Sequence, residues 1–188
     1  MSLQDHIHDL HLASLEAQRG AAAQLAEPIA RAAELIVASL MKEGKILACG
    51  QAGSLDLAGL FASLLTHQHR HSRPGLAAIT LERLSPMEEA GPAYARQIDC
   101  LGHAGDVLLA ISGHGNAPAL LAALHGAHDK GMGVVVLAGG DGGQLAEALR
   151  EEDAVICTHE LSSARTRELH LRAIHSLCDG IDYLLLGA

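Results

Sequence analysis

The stretch Asp106-Val-Leu-Leu-Ala-Ile-Ser112, followed by the loop from Gly113 to Asn116, decides the fold of this chain. The run is apolar at every position between its two ends, and a helical pattern from about Pro118 to Asp129 comes after the loop. Proline fits at the first turn of a helix, where its missing N–H has no partner to lose. We therefore predict a unit of strand, glycine loop and helix.

The same unit recurs along the chain. The apolar run from Lys45 to Gly50 precedes a helical pattern from Leu55 to Leu65. Three further runs complete the predicted strands, Leu76 to Leu81, Gly133 to Ala138 and Ala154 to Cys157. Continuous apolar strands that alternate with helices are typical of a parallel sheet covered on both faces. The sequence predicts a three-layer α/β fold with a five-stranded parallel sheet, ended by a helix from about Ser163 to Leu186.

The amino-terminal segment, residues 1–43, shows apolar residues at helical spacing on either side of Pro28. Because proline can begin a helix, we predict two helices here, the second starting at Pro28. A chain of 188 residues is long enough for one sizeable core and short for two. We predict a single domain over residues 1–188.

Composition excludes several classes of protein. The formal net charge of −9 lacks the basic face that direct nucleic-acid binding needs. No apolar run approaches the roughly 20 residues that span a bilayer, and the amino terminus is too polar for a signal peptide. Four cysteines stand alone rather than in the close pairs of a zinc or redox motif. They are Cys49, Cys100, Cys157 and Cys178. We expect a cytoplasmic protein with reduced, buried thiols, no membrane contact and no direct nucleic-acid partner.

Two loops are candidates for anion binding, because ligands of open parallel sheets bind beyond the carboxyl ends of the strands. They combine glycines, which allow a close approach, with hydroxyl or amide side chains. The candidate residues are Gly50, Gln51, Gly53, Ser54, Ser112, His114 and Asn116. Glycine after a strand is also common in simple turns, so a purely structural role for both loops stays open.

The segment Thr66-His-Gln-His-Arg-His71 places three histidines at alternate positions. In a strand, the side chains of His67, His69 and His71 would point to one side and could bind a divalent ion. The alternative is an exposed loop before Arg73-Pro74 whose histidines bind metal only adventitiously. We favour the loop.

Several stretches resemble the phosphoheptose isomerase family of sugar-isomerase (SIS) domains. They are Leu101 to Ser112, Gly115-Asn116, Lys130 to Met132, Ser163-Ala-Arg165 with Glu168 and His170, Arg73-Pro74 and Leu177-Cys-Asp179. The sequence is especially similar to the family's non-enzymatic DiaA branch, whose members bind the replication initiator DnaA. The resemblance implies the SIS fold and a homotetramer built on the amino- and carboxyl-terminal helices, residues 1–43 among them. It also implies a sugar phosphate bound at subunit junctions.

The resemblance implies a zinc-dependent catalytic set, from which this chain departs. Where the isomerases carry a His and a Glu four residues apart, this chain has Leu60 and Leu64, which neither accept a proton nor bind zinc. The family's Gln and His of the last helix correspond to Arg167 and His175. Only His175 remains, as a weak remnant. We name no catalytic residue and expect no cofactor, zinc being possible only in an isomerase.

The resemblance also implies a phosphate loop Ser-Thr-Ser-Gly-Asn-Ser, where this chain reads Ser112-Gly-His-Gly-Asn-Ala117. Two of the three serines are missing. Between Leu81 and Tyr94 the chain is several residues shorter than the family pattern. Glu88 and Glu89 stand near the place of an expected Asn-Asp pair.

These departures lead us to expect a non-catalytic, homotetrameric scaffold that binds DnaA. Two alternatives stay open. One is a sedoheptulose 7-phosphate isomerase in which Glu88, Glu89 or His114 has become the base. The other is a sensor that binds a sugar phosphate without converting it.

Overall fold

Five parallel strands form the centre of the molecule, which we describe from a computed structural model covering residues 1–82, 93–159 and 162–187. The strands are β1 (Ile46–Gly50), β2 (Ala78–Thr80), β3 (Val107–Ser112), β4 (Gly133–Ala138) and β5 (Ala154–Cys157). Their order in the sheet is β2-β1-β3-β4-β5. The predicted five-stranded parallel sheet is confirmed, although β2 is shorter than the predicted Leu76 to Leu81.

Helices cover both faces of the sheet. They are α1 (Leu3–Leu40), α2 (Leu55–Thr66), α3 (Ala93–Leu101), α4 (Pro118–Asp129), α5 (Gly143–Glu147) and α6 (Ser163–Leu186), with a 3₁₀ turn at Ala52–Ser54. Alternate strand residues face opposite sides, so Leu109 packs with α1, α2 and α6 while Leu108 packs with α3, α4 and α5. Of the helices described, none is both long enough and apolar enough to cross a membrane.

Residues 3–40 form one helix rather than two, so the predicted break at Pro28 is wrong. Proline inside a helix lacks the N–H that bonds the preceding turn, which costs about 3 kcal/mol. On either side of Pro28, Leu25 and Ile36 are buried against the core that α1 shares with α6. Each such burial contributes about 1.5–3 kcal/mol. Packing along the whole length of α1 therefore outweighs the missing hydrogen bond.

The edge of the sheet at which the strands begin is closed by paired charges. Asp106 accepts hydrogen bonds from the Lys45 ammonium (2.6 Å) and from the backbone N–H of Lys45 (2.9 Å) and His103 (2.8 Å). Burial alone would raise the pKa of Asp106, but these bonds give a net lowering. His128 of α4 and Asp153, which precedes β5, are both buried and pair at 2.7 Å. Polar groups at this edge are thus engaged within the protein.

All four cysteines are free thiols. Cys49 and Cys178 are buried, and burial raises the pKa of Cys178 to about 12. Cys100 is exposed and Cys157 is half-buried, so the expectation of four buried thiols is wrong for these two. Cys100 lies on α3, a helix that was not predicted, and its side chain is on the outer face.

Candidate functional site

The two glycine loops lie side by side at the edge where the strands end. They follow β1 and β3, which are neighbours with Gly50 opposite Ile111. The chain goes from β1 to one side of the sheet and from β3 to the other, and ligands of open sheets bind at such a switch point. The N–H of Gln51 donates to the Ile111 carbonyl at 3.2 Å, which ties the first loop to the end of β3.

The first loop is held by its own backbone. A side chain at Gly50 would overlap the carbonyl group of Ser54, so this position tolerates only glycine. Tyr94 donates its hydroxyl to the Gly50 carbonyl at 2.7 Å. Gly50 therefore shapes the loop, while Gln51, Gly53 and Ser54 line the space above it.

The second loop is held by side chains. The buried Ser112 Oγ accepts the N–H of Gly115 at 3.0 Å, and Gly115 has a left-handed φ of 72°. Asn116 donates to the His114 carbonyl (3.1 Å) and accepts the N–H of Gln144 (3.1 Å), so its amide joins the loop to α5. His114 Nδ1 accepts the Asn116 N–H at 3.1 Å, which leaves Nε2 as the donor of a neutral ring.

The first two turns of α6 close the site as a third wall. A cavity of about 200 Å³ lies between the loops and this helix. The α6 residues that line it are Ser163, Thr166, Arg167 and His170, which share one helix face. Four predicted residues, Gln51, Gly53, Ser54 and His114, also line the cavity. The other three, Gly50, Ser112 and Asn116, support the loops.

Arg167 brings a positive charge to the cavity. Its guanidinium lies directly over Gly53, where any side chain would overlap it. Among the residues that the structure describes, no carboxylate pairs with this guanidinium. An unpaired arginine above a glycine loop is suited to an anion, because its planar donors match the oxygens of phosphate. In the sequence analysis, Arg167 corresponds to a glutamine of the family, and no role was predicted for it.

His170 is the most buried ionisable side chain of the cavity, with 1% of its surface exposed. Its ring bonds the backbone of Ala138, the last residue of β4, and Nε2 has no hydrogen-bond partner among the described residues. Burial lowers its pKa to about 4, the largest shift of any histidine described. The imidazole is therefore neutral near pH 7, and its free Nε2 is an acceptor. His170 carried the family resemblance, but no site was predicted from it.

His175, the predicted catalytic remnant, lies outside this cavity. Its ring packs against His69 with centroids 5.3 Å apart, and His69 Nε2 lies 3.3 Å from Asp179. Burial, then the neighbouring His69 and Arg172, lower the pKa of His175. Further along α6, Asp182 pairs with Arg73 at 2.6 Å, and each of the two side chains is 2% exposed. This row joins α6 to the segment that follows α2.

The three alternate histidines do not converge. Residues 67–77 form no strand. His67 and His71 are exposed, and the His67 ring bonds the Ser63 carbonyl, whereas His69 turns inward to His175. The loop interpretation fits this geometry, and the strand interpretation does not. The predicted alternative bases Glu88 and Glu89 lie outside the described residues.

A zinc site of the kind that the resemblance implies does not fit the residues present. Leu60 and Leu64, half-buried on α2, offer only carbon atoms, and Arg167 offers a cation. His175 would be a single ligand, whereas zinc in proteins takes at least three. In the described part of the chain, no group of three His, Cys, Asp or Glu side chains could hold a metal ion.

Comparisons with known proteins agree with this architecture. A family model described as the SIS domain matches residues 13–139. A phosphoheptose isomerase of Laribacter hongkongensis is 41% identical over 100% of this chain and 99% of its own. The chain belongs to the SIS-domain family of phosphoheptose isomerases. The matching enzyme of Thiobacillus denitrificans is 43% identical over 100% of this chain and 98% of its own.

Solved structures of the same family superpose closely. A phosphoheptose isomerase from Neisseria gonorrhoeae has a TM-score of 0.87 at 35% identity, over 96% of this chain and 99% of its own. One from Francisella tularensis has a TM-score of 0.89 at 32% identity, over 97% and 99%. The helices and parallel sheet described above are therefore those of the SIS fold.

The expectation of a non-catalytic scaffold for DnaA is wrong. The relatives that match this chain from end to end at more than 40% identity are named as isomerases. Nothing in them indicates the DiaA branch. The leucines at positions 60 and 64, in place of the family's His and Glu, led to the expectation that the chain has no catalytic activity. Arg167 and His170 nevertheless bring other polar groups to the cavity.

Proposed function

We propose that this chain is a sugar-phosphate isomerase that interconverts sedoheptulose 7-phosphate and the corresponding aldose. The observation that carries the proposal is the end-to-end similarity to phosphoheptose isomerases at 41–43% identity. The polar cavity at the switch point of the sheet supports it. The substrate is an acyclic ketose phosphate at the moment of reaction, and one carbon-bound proton moves between its first two carbons.

The cavity is suited to the phosphate group. His114 Nε2 and the Ser54 hydroxyl supply neutral donors to its oxygens. Gly113 has open space beside it, which lets the phosphate oxygens come close to the backbone. Arg167 adds a permanent positive charge to the same cavity, which attracts an anionic substrate as a whole.

A turnover assay tests this proposal. Purified chain is incubated with sedoheptulose 7-phosphate, and the aldose is quantified by chromatography or NMR at equilibrium and over time. We expect the aldose to accumulate in proportion to protein concentration. No conversion in a folded sample, under any metal condition, would overturn the isomerase assignment.

A second candidate is a sensor that binds sugar phosphates without converting them. The specific observation in its favour is that Leu60 and Leu64 offer no acid or base. A thermal shift in the presence of sedoheptulose 7-phosphate, together with no aldose formation, would indicate the sensor. Turnover would exclude it.

We further propose a homotetramer. A groove of about 430 Å³ runs between α1 and α6, and its lining includes Leu25, Ile29 and Ala173. Beyond it, α1 exposes Leu3, Ile7, Leu10 and Leu15, and exposed apolar rows of this kind mark association surfaces. Light scattering during gel filtration should give four times the 19.6 kDa chain mass. A monomer mass would contradict the proposal.

The cytoplasm is the compartment that we propose for this activity. Four free cysteines support it, because disulfides are rare in reducing compartments. Cell fractionation with an antibody to the chain would test it, and recovery in an extracytoplasmic fraction would contradict it.

A further inference from the structure

We propose that His170 is the proton acceptor of the isomerisation and that Arg167 pairs with the oxyanion that forms, so that this chain works without zinc. The inference rests on the proposed isomerase function. It assigns proton abstraction and stabilisation of the oxyanion to residues of α6, because Leu60 and Leu64 can do neither.

The geometry places both groups on one wall. Arg167 and His170 are three residues apart on α6, which makes them neighbours on the helix surface. Both line the same cavity of about 200 Å³, with the glycine loops opposite. A substrate carbon between the loops and α6 therefore faces an imidazole and a guanidinium together.

His170 has the properties of a base held ready. One ring nitrogen is occupied by Ala138, which fixes the ring and its tautomer. The other, Nε2, is buried without a partner among the described residues. A buried polar atom left unpaired is costly, and because His170 lines the cavity, a ligand group beside the ring would supply the missing partner. Burial keeps the ring neutral at neutral pH, so the Nε2 lone pair is available; the lowered pKa makes His170 a weaker base than a free imidazole and makes its imidazolium return the proton readily.

Arg167 has the properties of an oxyanion partner. Its charge is permanent, and in the described part of the chain no carboxylate competes for it. The polar side chains His114 and Ser54, which also line the cavity, carry no negative charge that could pair with Arg167. Fixed positive charge at the place where negative charge develops is a large source of catalysis.

The proposed step conserves atoms and electrons. Nε2 of His170 takes the proton from carbon 1 of the ketose, and the released electron pair forms the double bond between carbons 1 and 2. The carbonyl oxygen on carbon 2 becomes the oxyanion beside Arg167. The imidazolium returns its proton to carbon 2, and the proton of the carbon-1 hydroxyl passes to the carbon-2 oxygen. Carbon 1 is then an aldehyde, and no oxidant, reductant or metal is consumed.

His175 does not compete for this role. It lies outside the cavity, with its ring against His69 and near Asp179 and Arg70. The charged or titratable groups that line the cavity with His170 are Arg167 and His114.

The test compares wild type with H170N, in which the Asn amide can keep the bond to Ala138 but supplies no base. H125N, an exposed histidine on α4, is the matched control. Turnover is measured after treatment with EDTA and again with added zinc, and solvent deuterium at carbons 1 and 2 is followed in D₂O. We expect wild type and H125N to turn over equally with and without zinc. We expect H170N to lose about 10²–10⁴-fold in kcat together with deuterium exchange, and to keep its affinity for the sugar phosphate.

A second variant protects the test against misfolding. R167Q changes an exposed side chain and is expected to lower kcat at least about tenfold, as the loss of one stabilising charge does. The pH profile of kcat in wild type, measured at saturating substrate so that the ionisation of the free sugar phosphate does not enter, should show no inflection near 6.5, because the pKa of His170 is about 4.

Three results would overturn the inference alone. They are deuterium exchange retained in H170N, activity abolished by EDTA and restored by zinc, and unchanged kcat in R167Q. In each of these the wild type still converts the ketose, so the isomerase assignment stands. A wild type that is inactive under every metal condition would overturn both.

Discussion

Along α6, the residues Ser163, Thr166, Arg167 and His170 line the cavity, whereas His175, Asp179 and Asp182 contact the segment from His69 to Arg73. In the first region, Arg167 has no carboxylate partner among the described residues, and His170 keeps one nitrogen free. In the second, Asp179 lies beside His69 and Arg70, and Asp182 pairs with Arg73. One helix thus carries both arrangements.

The difference separates ligand binding from stability. Charges that are paired inside the protein contribute to the fold and have little left to offer a ligand. Charges and lone pairs left open at a cavity cost stability until a ligand occupies them. Changes in the first half of α6 should therefore affect activity, and changes in the second half should affect unfolding.

The largest expected effect is on the paired half. In R73A the Asp182 carboxylate stays buried without its counter-charge, and Leu64 and Leu65 lose the donors to their carbonyls. We expect the free energy of unfolding to fall by about 3–5 kcal/mol. Urea denaturation measures it.

The control for this prediction is R70A. The Arg70 side chain is 69% exposed, and such pairs contribute less than about 1 kcal/mol. Equal losses for the two variants would break the distinction between a buried and an exposed pair.

The next effect is a pH dependence that comes from His170. Its pKa is 6.5 in the unfolded chain and about 4 in the fold, so the unfolded chain binds the proton more readily. The contribution of the neutral ring to the free energy of unfolding is complete above pH 6.5. It is lost as the pH falls toward 4, by about 1.4 kcal/mol per pH unit. Between pH 6.5 and 5 the advantage of wild type over H170N should shrink by about 2 kcal/mol in urea unfolding. A pH-independent difference would contradict a buried, neutral ring.

A smaller effect concerns ligand affinity. In G53A the new methyl group occupies the place of the Arg167 guanidinium, which is flexible enough to move away without disturbing the fold. We expect the affinity for sedoheptulose 7-phosphate to fall about tenfold, as the loss of one charged hydrogen bond to its carbonyl oxygen implies. Calorimetric titration measures it.

The matched control is G59A, a glycine of α2 with open space around it. It should bind as wild type does and be slightly more stable, because alanine favours a helix. If G53A binds equally well, Arg167 does not contact the ligand.

The smallest effect is expected at His175. Because this side chain lies outside the cavity, H175N should change kcat by less than about twofold, which is within the range of a residue remote from the reaction. Steady-state kinetics beside H170N checks it. A loss as large as that of H170N would move the base from the first half of α6 to the second.

Most of the fold could be predicted from the sequence, because apolar periodicity reports burial directly. The bounds of α4, β4, β5 and α6 agree with the predicted ranges. The exceptions depend on tertiary packing. Pro28 lies within α1 because α6 and the sheet support the helix on both sides of it, and periodicity alone could not weigh that support.

The site could be predicted only in part. Gln51, Gly53, Ser54 and His114 follow strands, so their position at the sheet edge was readable from the sequence. Arg167 and His170 are remote in sequence from both loops. The periodicity of a helix predicts which face is buried, but not which loop that face contacts. The leucines at positions 60 and 64, where the family has a His and a Glu, therefore led to a wrong prediction of function, because the polar groups of α6 were not considered.

The overlap between position 53 and the Arg167 guanidinium couples two sites that are 114 positions apart in the chain. A larger residue at position 53 displaces the Arg167 guanidinium from its place over the loop, because the two groups would occupy the same space. Within the family, these two positions should accordingly change together. A lineage that acquired arginine at 167 could not later abandon glycine at 53 without moving that charge away from the loop.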